Sequence, residues 1–430
     1  MEVKEASASY LRTTRYKQTE VGVIPEDWVV YTIQELIDRN AITGHLDGNH
    51  GELYPRSYEF RESGVPYITA NDFSGHKVSF DNCKYLSVER ARRFRKGIAK
   101  DGDVLFAHNA TVGPAALLST EFEYVILSTT ATYFRCNREK LINSFLLYEL
   151  QSAFFVRQYR AVMAQSTRNQ VPITAQRKLS VVLPPTKAEQ EVIAEALSDA
   201  DALIESLAQL LAKKRHLKQG AMQQLLAGKK RLPGFSGEWE VKRLGELSEM
   251  GSGGTPSSSN TAYYDGKIPW VSISDMTKCG KFISTTDRNL SSVGLNNSAA
   301  QMFPAGTVLY AMYASLGECS IARTSLCSSQ AILGIRAKPN LDNEFLYYFL
   351  TSIKSQVKMM GQQGTQANLN KGMVQGFQLR LPPRQEQTAI AAILSDMDAE
   401  LAVLEEKLAK ARAIKQGIMQ ELLTGRIRLI

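Results

Sequence analysis

The sequence predicts an α+β chain in which two mixed α/β globular domains alternate with two long helices, each carrying a coiled-coil seam. Three observations predict it. A helix-patterned stretch occurs twice, at 189–232 and 386–429, aligned without gaps and with roughly half its residues identical. Each copy follows a Leu-Pro-Pro, Leu183-Pro184-Pro185 and Leu381-Pro382-Pro383. The residues between the copies read as short β-rich runs separated by Gly, Ser, Asn and Pro turns.

In chain order, 1–22 is read as an N-terminal tail, 23–182 as the first globular domain and 183–232 as the first long helix, a central spacer. Residues 233–380 form the second globular domain and 381–430 the second long helix, a C-terminal spacer. The helices are predicted by apolar residues at alternating spacings of four and three. The first copy has Ile193, Leu197, Ala200, Ile204, Leu207 and Leu211, and the second Ile390, Leu394, Met397, Leu401, Leu404 and Leu408. A rod of ~60 Å is too long to serve one small domain's core. Gly220 and Gly417 are positions where the rods are expected to kink or break. The globular domains repeat more loosely. Val65-Pro66-Tyr67-Ile68-Thr69 answers Ile268-Pro269-Trp270-Val271-Ser272, and Gly102-Asp103-Val104-Leu105-Phe106-Ala107 answers Gly306-Thr307-Val308-Leu309-Tyr310-Ala311. The two alignments together place Gly22 and Ile430 within ~15 Å of each other.

Composition narrows the function classes. The chain is 44% hydrophobic and 22% charged, the balance of a globular protein. It has no apolar run near the ~18 residues of a membrane span, so no membrane partner is expected and the expected location is cytoplasmic. The five cysteines are odd in number and never spaced C-x-x-C, and the five histidines are scattered, which argues against a disulfide framework and a metal site. The net charge of +8 favours a polyanionic partner. Arg90, Arg92, Arg93, Arg95 and Lys96 stand close together, as a phosphate-contacting patch or a solvated helix face.

Catalytic signatures are absent. Gly228-Lys229-Lys230 and Gly266-Lys267-Ile268 lack the other parts of a phosphate-binding loop, and Gly251-Ser252-Gly253-Gly254-Thr255-Pro256 lacks the third glycine and following helix of a dinucleotide site. Glu405-Glu406-Lys407 lies on the predicted rod, where Glu–Lys neighbours are surface charges. The chain is therefore expected not to be an enzyme.

The order domain, Leu-Pro-Pro, Glu-Gln rod, twice over, resembles the specificity subunit of type I restriction–modification systems. Gly253-Gly254-Thr255-Pro256-Ser257 with Tyr264 and Ile268-Pro269-Trp270-Val271 is similar to the opening of that family's target recognition domains. So are Gly364-Thr365-Gln366 with Asn368-Leu369-Asn370-Lys371, and Val23-Ile24-Pro25-Glu26-Asp27-Trp28. The first domain has no Gly-Gly-Thr-Pro, which leaves its recognition loops harder to place. The resemblance implies two target recognition domains reading an asymmetric two-part site in double-stranded DNA, with the helices paired antiparallel as a ruler between them. It implies two methyltransferase subunits and motor–nuclease subunits as partners. S-adenosylmethionine, ATP and Mg would belong to those partners, and this chain would hold no cofactor. A standalone DNA-binding or scaffold protein that self-associates through its rods is the alternative.

Candidate DNA contacts follow from side-chain chemistry combined with motif position, since Arg, Asn and Gln are the bidentate readers of base edges. In the first domain they are Thr69, Asn71, His108, Asn109, Thr111, Arg168, Asn169 and Gln170, with Arg90, Arg92, Arg93 and Arg95 as phosphate contacts. In the second they are Ser272, Ser274, Tyr313, Ser315, Gln330, Gln366, Asn368 and Lys371.

Overall fold

The computed structural model describes residues 15–165, 167–363 and 368–429. The chain divides into two compact units, the first ending at Leu207 and resuming at Lys407, the second running from Ala208 to Glu406. Among the described residues no helix is long and apolar enough to cross a membrane.

The first unit is built on a six-stranded sheet in the order Ile42–Asp47, Ala131–Cys136, Val104–Asn109, Thr111–Leu117, Lys77–Val78, Phe73–Ser74. Its centre is the apolar run Val104-Leu105-Phe106-Ala107, buried on both faces as a mid-sheet strand must be. A second sheet orders Ile98–Ala99, Val125–Leu127, Val65–Ile68, Lys84–Leu86 and Phe60–Arg61. Helices Asn143–Glu149 and Ala153–Ala164 supply Phe145 and Phe155 to the core around Phe106, Phe134 and Trp28. Ser152 starts the second of these helices by accepting the Phe155 amide at 3.1 Å. Strand Val29–Thr32 pairs antiparallel with Ser180–Leu183, the strand that Pro184 terminates.

The second unit repeats this plan in shorter form. Ser248–Ser252, Ile332–Ala337, Val308–Ala311, Cys319–Ala322 and Phe282–Ile283 make one sheet, and Arg288–Leu290, Tyr264–Val271 and Cys327–Ser328 another. Glu240–Arg243 pairs with Gln378–Leu381 as the strand before the second rod.

Two expectations need correction. Residues 15–22 are not simply tail: Tyr16–Thr19 pairs antiparallel with Gly22–Pro25, because Thr19 and Gly22, with φ 116 at the glycine, close a tight hairpin. The rods do not break at their glycines. Lys187–Leu225 and Arg384–Leu422 are each 39 continuous helical residues. Gly220 and Gly417 have nothing within 4 Å of a side-chain position, so neighbouring turns carry them. The helices end where Gly228 and Gly425 take left-handed φ of 67 and 66.

The rods also begin inside the globular cores. Ile193 and Leu197 pack with Trp28, with Val181 and Val182 of the preceding strand, and with Leu422 and Leu423 in the first unit. Ile390 and Leu394 pack with Leu225, Leu226 and Leu379 in the second. Leu211, Leu404 and Leu408 are buried, and Ile204, Leu207 and Leu401 half-buried. The repeated Glu-Gln is a staple between rod and domain. Glu189 takes two hydrogen bonds from Arg428 (2.6 and 2.7 Å), while Gln190 accepts the Ile142 amide at 3.0 Å. In the second unit Glu386 takes the same pair from Arg231 (2.7 and 2.8 Å), and Gln387 accepts the Asp342 amide at 2.7 Å. Arg428 also reaches Asp27 at 2.8 Å. Gly22 lines one cavity with Thr424 and Arg426, but Ile430 lies outside the described residues, so the Gly22–Ile430 distance stays an expectation.

Candidate nucleic-acid interface

Each unit carries a hairpin whose tip is left-handed at an alanine. In the first, Val104–Asn109 turns through Ala110 (φ 63) into Thr111–Leu117. In the second, the turn after Val308–Ala311 has Ala314 at φ 58. Alanine there is strained by roughly 1–2 kcal/mol, and the surroundings must hold it. They do so in the same way twice. The Val171 amide donates to the His108 carbonyl at 2.8 Å, and the Leu369 amide to the Met312 carbonyl at 3.0 Å. Correspondingly, the His108 amide donates to Thr130 at 3.0 Å and the Met312 amide to Ala331 at 2.9 Å.

These bonds gather loops from far along the chain. In the first unit Asn169 brackets the tip: the Ala110 amide donates to its carbonyl at 3.0 Å, and its side-chain amide donates to the Ala110 carbonyl at 3.2 Å. Asn109 bridges Gln170 and donates to the Thr129 carbonyl at 3.4 Å. Thr130 Oγ1 accepts the Ala70 amide at 2.9 Å, bringing Asn71 to the same edge. In the second unit the Gln330 amide donates to Thr255 Oγ1 at 3.4 Å, the Ser329 amide to Val271 at 2.9 Å and the Gly254 amide to Ser328 at 2.9 Å. The result is an edge of exposed amides and hydroxyls. It holds Asn71, Thr111, Arg168 and Asn169 with half-buried Asn109 and Gln170 in one unit. The other has Ser274, Tyr313, Gln330, Asn368 and Lys371 with half-buried Ser315.

A family model for the type I restriction modification DNA specificity domain matches residues 25–213 and again 236–412. The chain belongs to that family. It is 25% identical over 98% of its length to a putative type I restriction enzyme MjaX specificity subunit of Methanocaldococcus jannaschii, 98% of which is covered. It is 31% identical over 34% of its length to the HindI specificity subunit of Haemophilus influenzae, covering 32% of that protein. Among solved structures, a type I restriction-modification S subunit from M. genitalium matches at TM-score 0.58 and 15% identity, with 92% of this chain and 96% of that one covered. A chain from a structure describing complex assembly and conformational transition of the type I R-M system also matches at 0.58, with 20% identity and coverage of 94% and 99%. The two family matches bracket the repeat visible in the sequence, so one specificity domain fold is present twice.

Within this specificity fold several expected contact residues turn out to be engaged internally. Arg90 donates to Glu59 at 2.5 Å and to the Leu53 carbonyl at 2.7 Å, with its guanidinium 4.8 Å from the Phe94 ring centre. It ties two loops together and is not free for phosphate. His108 is buried, its Nδ1 facing the Val171 carbonyl at 3.2 Å, and burial pushes its pKa down, disfavouring a charged ring. Thr69 and Ser272 are capping residues whose hydroxyls donate to Asp72 (2.8 Å) and Asp275 (2.6 Å). Arg92, Arg93 and Arg95 are exposed, as is Lys96, and among the described residues none of them pairs with a carboxylate. Gln366 lies outside the described residues.

The glycines at the second unit's loop base stand in a motif, Gly253-Gly254-Thr255-Pro256, but their role was not legible in it. A side chain at Gly253 would collide with Ser328 and Ser329, and one at Gly48 with Leu127 and Ser128. Gly48 is thus the first unit's counterpart of the Gly-Gly-Thr-Pro glycine. Its signal in the sequence was a lone Gly between Asp47 and Asn49, with no motif around it. Buried thiols offer no nucleophile: burial pushes Cys136 up to about 12 and Cys327 to about 11.

Proposed function

We propose that this chain is the DNA-reading subunit of a type I restriction–modification complex. Each recognition domain reads one part of an asymmetric target in double-stranded DNA, and the long helices set the gap between the parts. One observation carries the reading: the same backbone hydrogen-bond pattern presents different tips, Asn109-Ala110-Thr111 in one domain and Tyr313-Ala314-Ser315 in the other. Two copies of one reader with different edges suit two different half-sites.

An antiparallel coiled coil between the helices is supported by repeat-related ion pairs. Lys415 reaches Asp201 at 2.6 Å in the first unit, and Lys218 reaches Asp398 in the second. Its seam would run through Ile193, Leu197, Ile204, Leu207 and Leu211 against Ile390, Leu394, Leu401, Leu404 and Leu408. Docking of two methyltransferase subunits, with motor–nuclease subunits joining them, is supported by Leu203, Leu210 and Leu217. These stand seven residues apart on one helix and remain 56%, 40% and 52% exposed. S-adenosylmethionine, ATP and Mg belong to those partners, and this chain contributes recognition alone, as the naming of its relatives as specificity subunits suggests.

The test is to exchange residues 25–182 with those of a related specificity subunit and map methylated bases in the host genome. One half of the target should change. A swap that alters both halves, or neither, refutes modular reading. A chain that binds DNA but captures no methyltransferase would instead be a self-contained scaffold.

A further inference from the structure

The basic loop of the first unit has a counterpart in the second that strand register identifies. Val65 pairs with Leu86, and its repeat partner Ile268 pairs with Leu290. At the other end Ala99 pairs with Val125, and Phe303 bridges Leu326. The two intervening segments are therefore equally long and begin alike, Ser87 accepting the Arg90 amide at 3.2 Å and Ser291 the Gly294 amide at 3.0 Å. Residue for residue, Arg92, Arg93, Arg95 and Lys96 correspond to Asn296, Asn297, Ala299 and Ala300.

Both loops lie against the base of the reading edge. A side chain at Gly97 would meet Gly48, and one at Gly254 would meet Ala299 and Ala300. Gly48 in turn abuts Ser128, whose hydroxyl shares a 2.6 Å hydrogen bond with Thr130 beneath the hairpin tip. In the first unit Arg95 and Lys96 line a concavity of about 340 Å³ with Asn49. The nearby acid Glu59 is paired with Arg90. Glu89 lies close enough to Arg92 for the arginine to lower its pKa, but among the described residues none of the four exposed cations forms an ion pair with a carboxylate.

We infer that the two recognition domains grip the DNA backbone unequally: residues 92–96 clasp phosphates beside the first half of the target, while 296–300 makes neutral contact with the second. This rests on the proposed DNA-reading role. Neutralised phosphates release counterions, so the salt dependence of binding should reside in the first loop.

The experiment measures binding of the full chain, with its methyltransferase partner, to a random-sequence duplex of about 30 base pairs over a salt series. Replacing the first loop by its counterpart (R92N, R93N, R95A, K96A) should lower the steepness of log K against log salt by about three to four. The reciprocal N296R, N297R, A299R should raise it by about two to three. A control neutralising four exposed cations on or just beyond the long helices (K229Q, K230Q, K410Q, R412Q) should leave it nearly unchanged. All the replaced side chains are exposed, so melting curves should match the parent. An unchanged slope in the loop variant, an equal fall in the control, or no rise in the reciprocal variant overturns the inference. A parent complex that shows no salt-dependent binding to the duplex would instead overturn the DNA-reading role itself.

Discussion

Glu149 sits at the end of the helix Asn143–Glu149, essentially without solvent contact. One oxygen accepts the Val182 amide at 2.9 Å, and Oε2 has no partner. Burial raises its pKa from 4.5 to about 8, only partly opposed by the Val182 bond. Between those values the folded chain holds a proton that the unfolded chain has released, so folding takes up a proton and stability falls as pH rises. The decline is at most about 1.4 kcal/mol per pH unit, a few kcal/mol across the window, and it ends above pH 8. His45, His50 and His108 have pKa values pushed down by burial and act the other way at lower pH, but equally in wild type and variant. Glu149→Gln keeps the shape and the acceptor for Val182 while removing the ionisation. The matching place in the second unit is Phe349, so the carboxyl is no part of the shared frame. Amide exchange of peptides from 143–183, compared at each pH, cancels the intrinsic pH effect. Wild type and E149Q should exchange with rates closest at the acid end, and at pH 8.5 the variant should be slower by at least about tenfold. A ratio that stays constant from pH 5.5 to pH 8.5 would refute a buried, protonated Glu149.

The remaining predictions concern the rods and their staples. Gly220→Ala and Gly417→Ala should each stabilise by up to about 1 kcal/mol, because both positions are helical and open; a loss of stability in urea titration would contradict the unbroken helices. Arg231→Met should leave the fully buried Glu386 carboxylate with the Trp239 indole N–H (3.1 Å) in place of its cation and cost the second unit toward the low end of about 3–5 kcal/mol, while R231M with Glu386→Gln should recover part of it. Thermal melts of the single and double variants check this, and additive losses would mean the pair is not coupled. Leu207→Asp together with Leu404→Asp should destabilise by several kcal/mol if the proposed seam is right, read as a lowered melting temperature and lost assembly.

Periodicity made the rods and the duplication readable from sequence, since a seam repeats every three or four residues and Pro-Pro must end a strand. The same repeat aligned Gly102-Asp103-Val104-Leu105-Phe106-Ala107 with its partner segment, whose apolar parts Val104–Ala107 and Val308–Ala311 are buried strands. That each leads into a tip with a left-handed alanine was not readable from the sequence. Which polar residues remain available was decided only by tertiary structure. Arg90 and Arg92 look alike in the sequence, yet Glu59, thirty-one residues away, takes one of them and leaves the other exposed. His108 and Asn109 are neighbours, but the strand's alternation turns one ring inward toward Val171 and leaves the other amide at the edge. Thr69 and Ser272 became caps because a carboxylate stands three residues on, a pattern present in the sequence but indistinguishable there from a free hydroxyl. A burial pattern is a property of the local chain, whereas a side chain's partner is set by whatever distant segment the fold brings within about 3 Å of it.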